Sequence, residues 1–315
     1  MHPAFSVILF TTASGAGYGL IALTAIWYAL GRVPVTPAFG LCALGLGASL
    51  VTLGLLASTF HLGHPGRAWR ALGQVRSSWL SREGVAAVAT YLPLAAFGLG
   101  WVFALLSPGA VVAAALLAAV LCAVTVYCTA MIYRSLKPIH QWCNAHVVPV
   151  YLALALMTGA LALDALLQIW GRPDRLLTAL AVLATVLAVI LKERYWRFID
   201  ATSGASTAGS ATGLAGLGTV RLLDPPHTGS NYLMREMGFQ VARKHAAKLR
   251  RIALALAFAL PLALTLLAAL LASPLAVIAA VLAVVSALVG VLVERWLFFA
   301  EAKHSVTLYY GAASV

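Results

Sequence analysis

The chain has 315 residues, of which 62% are hydrophobic and 10% charged, and its formal net charge is +12. A water-soluble domain needs about a quarter of its residues charged, so a soluble fold is excluded; the positive charge is a matter of membrane topology before it is one of nucleic-acid binding. The length accommodates eight spans of ~20 residues with their loops, as one integral-membrane domain over residues 1–315.

Apolar segments run from Phe5 to Leu30, Pro37 to Phe60, Val85 to Leu106, Ala110 to Tyr133, Val147 to Trp170, Leu176 to Leu191, Ile252 to Leu271 and Pro274 to Phe298. Inside a bilayer each backbone polar group must be satisfied within its own segment, so these predict an all-α, polytopic bundle of eight transmembrane helices. The first segment is longer than a signal-peptide core and is expected to remain as a span. Of the 21 Lys and Arg, all but Arg32, Arg172 and Arg175 fall in or beside the connections after the second, fourth and sixth segments, or towards the C-terminal tail. That asymmetry predicts a cytoplasmic location for this face and for both termini.

The longest connection, residues 192–251, divides by composition. Ala201 to Gly218 is rich in Gly, Ser, Thr and Ala and reads as a flexible linker or as a strap that orders on a partner. In the part from Asp224 to Arg251, Pro225 and Pro226 stop regular structure and Ser230 or Asn231 offers an N-cap. Leu233, Met237 and Val241 then recur at helical spacing. This predicts an interfacial amphipathic helix before the seventh span, lying on lipid headgroups or serving as a docking surface. Cys42, Cys122, Cys128 and Cys143 form no CxxC pair and are expected in core packing. No internal repeat is visible, which weighs against a transporter built from duplicated halves.

The chemistry concentrates in the run from His61 to Gly84, HLGHPGRAWRALGQVRSSWLSREG, a basic polar insert between two apolar segments. His61 directly follows the second span and has the intrinsic proton affinity of a donor and acceptor near neutral pH; the plain alternative is an interfacial polar residue. His64 precedes Pro65, which disfavours helical geometry there. Glu83 begins the third span, where it either caps the positive helix end or joins His61 in a proton relay. Arg67, Arg70, Arg76 and Arg82 read first as topology markers, with one or two of them available to a ligand. Tyr133 and Arg134 end the fourth span on the same face, where Tyr also belongs to an aromatic belt. Asp164, towards the other face, reads as a satisfied interfacial acid or part of a proton route, and Glu294 and Arg295 as structural charges that pair with neighbours at the end of the last span. The histidines lie in loops or at span ends, with no deep pair for haem, and no cysteine cluster suits an iron–sulfur centre. No haem, iron–sulfur cluster or other metal is therefore expected within this protein, and electrons must come from a partner subunit.

The strings HLGHPGRAW at the end of the second span, SREG at the start of the third and MIYRSL at the end of the fourth, on an eight-span plan, resemble the membrane-anchor subunit family of dimethyl sulfoxide reductase. The resemblance covers most of the sequence in plan; its specific motifs lie in about Ser58 to Gly84 and, more weakly, Met131 to Trp142. It implies a quinone-reactive subunit (ubiquinone or menaquinone) of the bacterial inner membrane, partnered by an iron–sulfur subunit and a molybdopterin catalytic subunit. His61 and Glu83 match the family's quinol-binding histidine and acid. With His64, Arg67, Tyr133 and Arg134 they form the expected site. The partners would dock on the cytoplasmic loops, whereas the best-known reductases of the family carry theirs on the outer side. That placement and the insert SNYLMREMGFQVARKHAAKLRR resemble the branch anchoring cytoplasmic sulfite dehydrogenase, in which electrons pass into the quinone pool. A quinol-oxidising anchor and a proton or solute transporter are the alternatives. The transporter would favour broken helices and polar groups near the midplane.

Overall fold

Among the described residues, eight helices long and apolar enough to cross a membrane follow one another in the computed structural model, which describes residues 3–60, 63–224, 229, 231–237, 245–312 and 315. They are α1 Phe5–Ala29, α2 Pro37–Thr59, α3 Trp79–Phe103, α4 Pro108–Arg134, α5 Val147–Ile169, α6 Arg175–Ala201, α7 Ala246–Leu270 and α8 Leu275–Ala300. Among the described residues the only strand-like pairing is an isolated bridge between Ile139 and His304. Local chemistry marks several starts. Thr36, Ser78, Ser107 and Asp174 accept from the N–H of Phe39, Ser81, Ala110 and Leu177, each satisfying one orphan donor of a helix N-terminus.

The two central helices are α1 and α5, which are buried along most of their length. α1 packs on α2, α4, α5 and α8, and α5 also packs on α6 and α8. Small residues allow the central crossing. A Cβ on Gly19 would overlap the Ala155 carbonyl, and one on Gly159 would overlap the carbonyl of Gly19. In lipid such close backbone packing replaces the hydrophobic driving force that joins helices in water. The outer helices instead present Leu41, Leu92, Leu183 and Ile278 outward, as expected of helices that are apolar all round and meet hydrocarbon.

α7 contains a π turn at Leu254–Ala259, just before Pro261. Proline has no N–H to return to the carbonyl one turn back, so regular geometry is broken there. Ser286 Oγ of α8 compensates by donating to the Leu256 carbonyl at 2.8 Å, and Gly290 sits against the Ala257 backbone with no room for a Cβ.

Three helices extend at least six residues beyond their apolar segments. α3 starts at Trp79 rather than Val85, α6 continues to Ala201 rather than stopping at Leu191, and α7 starts at Ala246 rather than Ile252. Hydropathy ends a segment at its first charges, but Glu83, Lys192, Tyr195 and Trp196 turn inward and the helices run on. Lys192 and Arg295, which the sequence places with the basic face, are buried inside the bundle. They carry no topological weight, and the asymmetry stands on the remaining cations.

At the end of the bundle carrying the longer loops, the α4–α5 loop, the end of α6 and the tail are clasped together. Trp142 Nε1 donates to the Phe298 carbonyl at 2.9 Å, Tyr195 donates to the Gln141 carbonyl at 3.1 Å, and Lys303 N donates to Gln141 Oε1 at 3.0 Å. Arg250 spans Asp200 and Glu301 at 2.6 to 3.0 Å. In the long connection the Gly/Ser-rich part forms a short helix, Ala208–Thr212, closed by a Thr207–Ser210 capping box. The expected interfacial helix is described only as Tyr232–Glu236, with Asn231 as its N-cap; Val241 lies outside the described residues.

Candidate functional site

The loop between α2 and α3 is a 3-10 helix, Pro65–Gln74, with no buried residue. His64 and Arg67 are exposed on it. His61, the first candidate from sequence, lies outside the described residues. Arg82 fastens the loop to α3: it donates from Nε to the Val75 carbonyl and from Nη2 to the Arg76 carbonyl, both at 2.8 Å. Its guanidinium lies 4.2 Å from the centre of the Trp79 ring. Arg82 therefore holds backbone rather than facing into the bundle.

Glu83 does not cap its helix. Ser78 does that, and Glu83 falls in the second turn, 5% exposed and directed at α4. There its Oε1 accepts from Thr129 Oγ1 at 2.5 Å, while Thr129 is also anchored to the Thr125 carbonyl at 3.0 Å. The last two residues of α4 face opposite ways. Tyr133 is buried among Trp142, Tyr151, Phe298 and Phe299, with ring centroids 5.3 to 5.8 Å away, whereas Arg134 is exposed. Of the expected site residues that are described, Glu83 and Tyr133 face into the bundle; His64, Arg67 and Arg134 remain on its outer surface.

The structure gathers Glu294 and Arg295 into an ion cluster with Lys192, where the sequence suggested only pairing with neighbours at the end of the last span. Glu294 bridges Lys192 and Arg295; the Arg295 Nε–Glu294 Oε2 distance is 2.7 Å, and all three side chains are at most 2% exposed. Aromatic faces surround the cations: the Lys192 Nζ lies 4.1 Å from the Tyr195 ring centre, and the Arg295 guanidinium 3.9 Å from that of Tyr151. These contacts partly replace the lost hydration. The only sequence signal is two charges inside the apolar run VLVERWLFF, a context in which an ionisable residue invites a functional reading.

A cavity of about 20 Å³ touches both Thr129, which holds Glu83, and Arg295 of this cluster. Thr12 of α1, Thr129 of α4, Tyr151 of α5 and Arg295 of α8 are on its wall. Four helices thus bring hydroxyls and a guanidinium beside the α3 carboxylic acid, near one end of the bundle. Such a set can hold a proton, release it and stabilise the resulting charge. Asp164, near the other end of α5, is buried and accepts from Thr178 Oγ1 at 2.6 Å, as a satisfied acid. A groove of about 720 Å³ between α6 and α7, lined by Arg175, Leu183 and Leu266, opens in that same region. Cys122 and Cys128 are buried as expected; Cys143 is exposed instead.

Comparisons with known proteins agree with this architecture. The family described as "DMSO reductase anchor subunit (DmsC)" matches residues 1–311. A sulfite dehydrogenase subunit of Allochromatium vinosum is 33% identical across 98% of this sequence and 99% of its own length. A polypeptide of the anaerobic dimethyl sulfoxide reductase of Escherichia coli K12 is 31% identical across 48% of this sequence and 53% of its own. No solved structure gives a significant match. The full-length match, on an eight-helix membrane bundle, establishes that the protein belongs to the DMSO reductase anchor subunit family.

Proposed function

We propose that this protein is the quinone-reactive anchor of a molybdopterin and iron–sulfur oxidoreductase in a bacterial inner membrane. Electrons from a partner iron–sulfur subunit reach a quinone at the loop end of the bundle, and Glu83 and His61 manage the accompanying protons. The observation that carries this reading is the Glu83 carboxyl, turned into the bundle and held by Thr129 directly behind the exposed basic loop of His64 and Arg67. A quinone arriving from the lipid and an iron–sulfur subunit arriving from water can meet at such a place, and the redox chemistry itself belongs to the quinone and the clusters. Exposed Arg67, Arg70, Arg76 and Arg134 suit the docking of a soluble partner on this face.

The concentration of loop cations there supports a cytoplasmic orientation. Similarity to the sulfite dehydrogenase subunit along nearly the whole sequence, against half of it for the reductase polypeptide, favours electron flow from sulfite into the quinone pool. In the assembled complex, Glu83→Gln and His61→Ala are each expected to lower sulfite-to-quinone turnover by about 10²-fold. Sulfite oxidation by a water-soluble dye that takes electrons from the partner subunits stays at the parent rate. Parent-level quinone turnover in both variants would refute the assignment.

A further inference from the structure

We propose that Arg295 is a positioning residue for Glu83, acting through one buried water held by Arg295, Tyr151 and Thr129. This rests on the reading of Glu83 as the proton-handling acid of the quinone site. The Nη1 and Nη2 atoms of Arg295 and the hydroxyls of Tyr151 and Thr12 are buried without a well-aligned hydrogen bond; the Tyr151 hydroxyl neighbours both Arg295 and Tyr133, which leaves hydrogen-bonding capacity on each for a bridging water. Arg295, Tyr151 and Thr12 line the cavity that Thr129 also borders. Its volume of about 20 Å³ exceeds the roughly 10–15 Å³ that one water occupies, and the wall supplies the two to four polar partners a buried water takes.

The direction of the hydrogen bonds gives the site its purpose. The water accepts from an Arg295 Nη–H and donates to Thr129 Oγ1, which already donates to Glu83. Each donor in this series points towards the Glu83 carboxylate. Glu294, which bridges Lys192 and Arg295, and Glu301, within electrostatic reach of Lys192, compensate the charges of the cluster, so Arg295 is coupled to Glu83 through the hydrogen bonds of the water rather than through a net charge. Other titratable groups in electrostatic reach of Glu83 are Tyr18 of α1, Cys128 and Tyr133 of α4 and Tyr151 of α5. Arg82, on α3 itself, is turned back to the loop carbonyls. Among the described residues lining the cavity, Arg295 is the cation. Lys192 and Glu294 serve to hold it in place.

Infrared spectroscopy and turnover of the intact complex test this together. The carbonyl band of protonated Glu83, identified by its loss in Glu83→Gln, is expected to gain intensity at pH 7 in Arg295→Gln. Quinone turnover falls about tenfold at unchanged KM, a loss within the range of general acid–base effects, and Arg295→Lys restores most of both. Tyr151→Phe, which removes one partner of the water without altering any charge or the Thr129–Glu83 hydrogen bond, gives a band change in the same direction and decides the matter if Arg295→Gln fails to assemble. A parent-like Glu83 band and turnover in Tyr151→Phe, or in assembled Arg295→Gln, would overturn the proposal. Should Glu83→Gln itself leave quinone turnover intact, the functional reading falls, while the infrared comparison still decides whether Arg295 and Glu83 are coupled.

Discussion

At the scale of single residues, the buried ions divide into groups whose removal has unequal consequences. Replacing Glu294 by Gln leaves Lys192 and Arg295 as neighbouring buried cations without their bridging anion, and a cost of roughly 3–5 kcal/mol is expected for such a broken pair. Lys192→Met leaves the Glu294–Arg295 pair neutral and is expected to be clearly milder. Thermal unfolding of the two variants in detergent, side by side, checks this order; equal losses would mean that the cluster does not act as a three-charge unit. Glu83 differs from these in having a single hydrogen-bonded hydroxyl rather than an ion-pair partner among the described residues. That arrangement suits an acid whose charge changes during turnover better than one fixed for structure.

At the scale of elements, helix ends and crossings set the geometry that the site depends on. Asp174 caps α6 through Leu177 N–H and pairs with Arg32 at 2.8 Å. Burial opposes its ionisation, but these two partners outweigh it and hold the carboxyl below its ordinary value. Because the folded-state affinity for a proton is lowered, the stabilisation is present above the usual carboxylate range near pH 4 and is lost as pH falls through the lower folded value. Asp174→Ala is therefore expected to cost about 1 kcal/mol at neutral pH, with the difference from the parent shrinking in acid. Melting curves at neutral and acid pH measure it. At the α1–α5 crossing, Gly159→Val forces apart backbones that leave no space even for a Cβ. A marked drop in thermal stability and in the yield of assembled complex should follow.

Much of the element plan was legible in the sequence. Eight spans, a basic connection after the second and Glu83 as a candidate acid follow from where long apolar runs stop and charges begin; that Glu83 turns into the bundle instead of capping α3 was not legible. Nor were the early start of α3 and the long end of α6, because one-dimensional hydropathy treats any charge as a boundary, whereas Glu83 and Lys192 are solvated by other helices. The cavity was equally hidden. Thr12, Thr129, Tyr151 and Arg295 come from four separate helices and are unremarkable singly; only the packing of α1, α4, α5 and α8 makes them neighbours.

For the whole molecule, the proposed function requires a bundle oriented with its basic loops in the cytoplasm, partners docked there, and the quinone site immediately beneath. Cys143, exposed in the α4–α5 loop while Cys122 and Cys128 are buried, offers a native test of orientation. A membrane-impermeant thiol reagent should modify it in inverted vesicles and not in right-side-out ones. The central claim, that quinone meets the protein beside Glu83, is tested most directly by a photoreactive quinone analogue added to the assembled complex in its membrane. Adducts are expected at the loop-side ends of α3 and α4, around Glu83 and Thr129, and excess natural quinone should prevent them. Adducts confined to the α6–α7 groove lined by Arg175, Leu183 and Leu266 would contradict the claim.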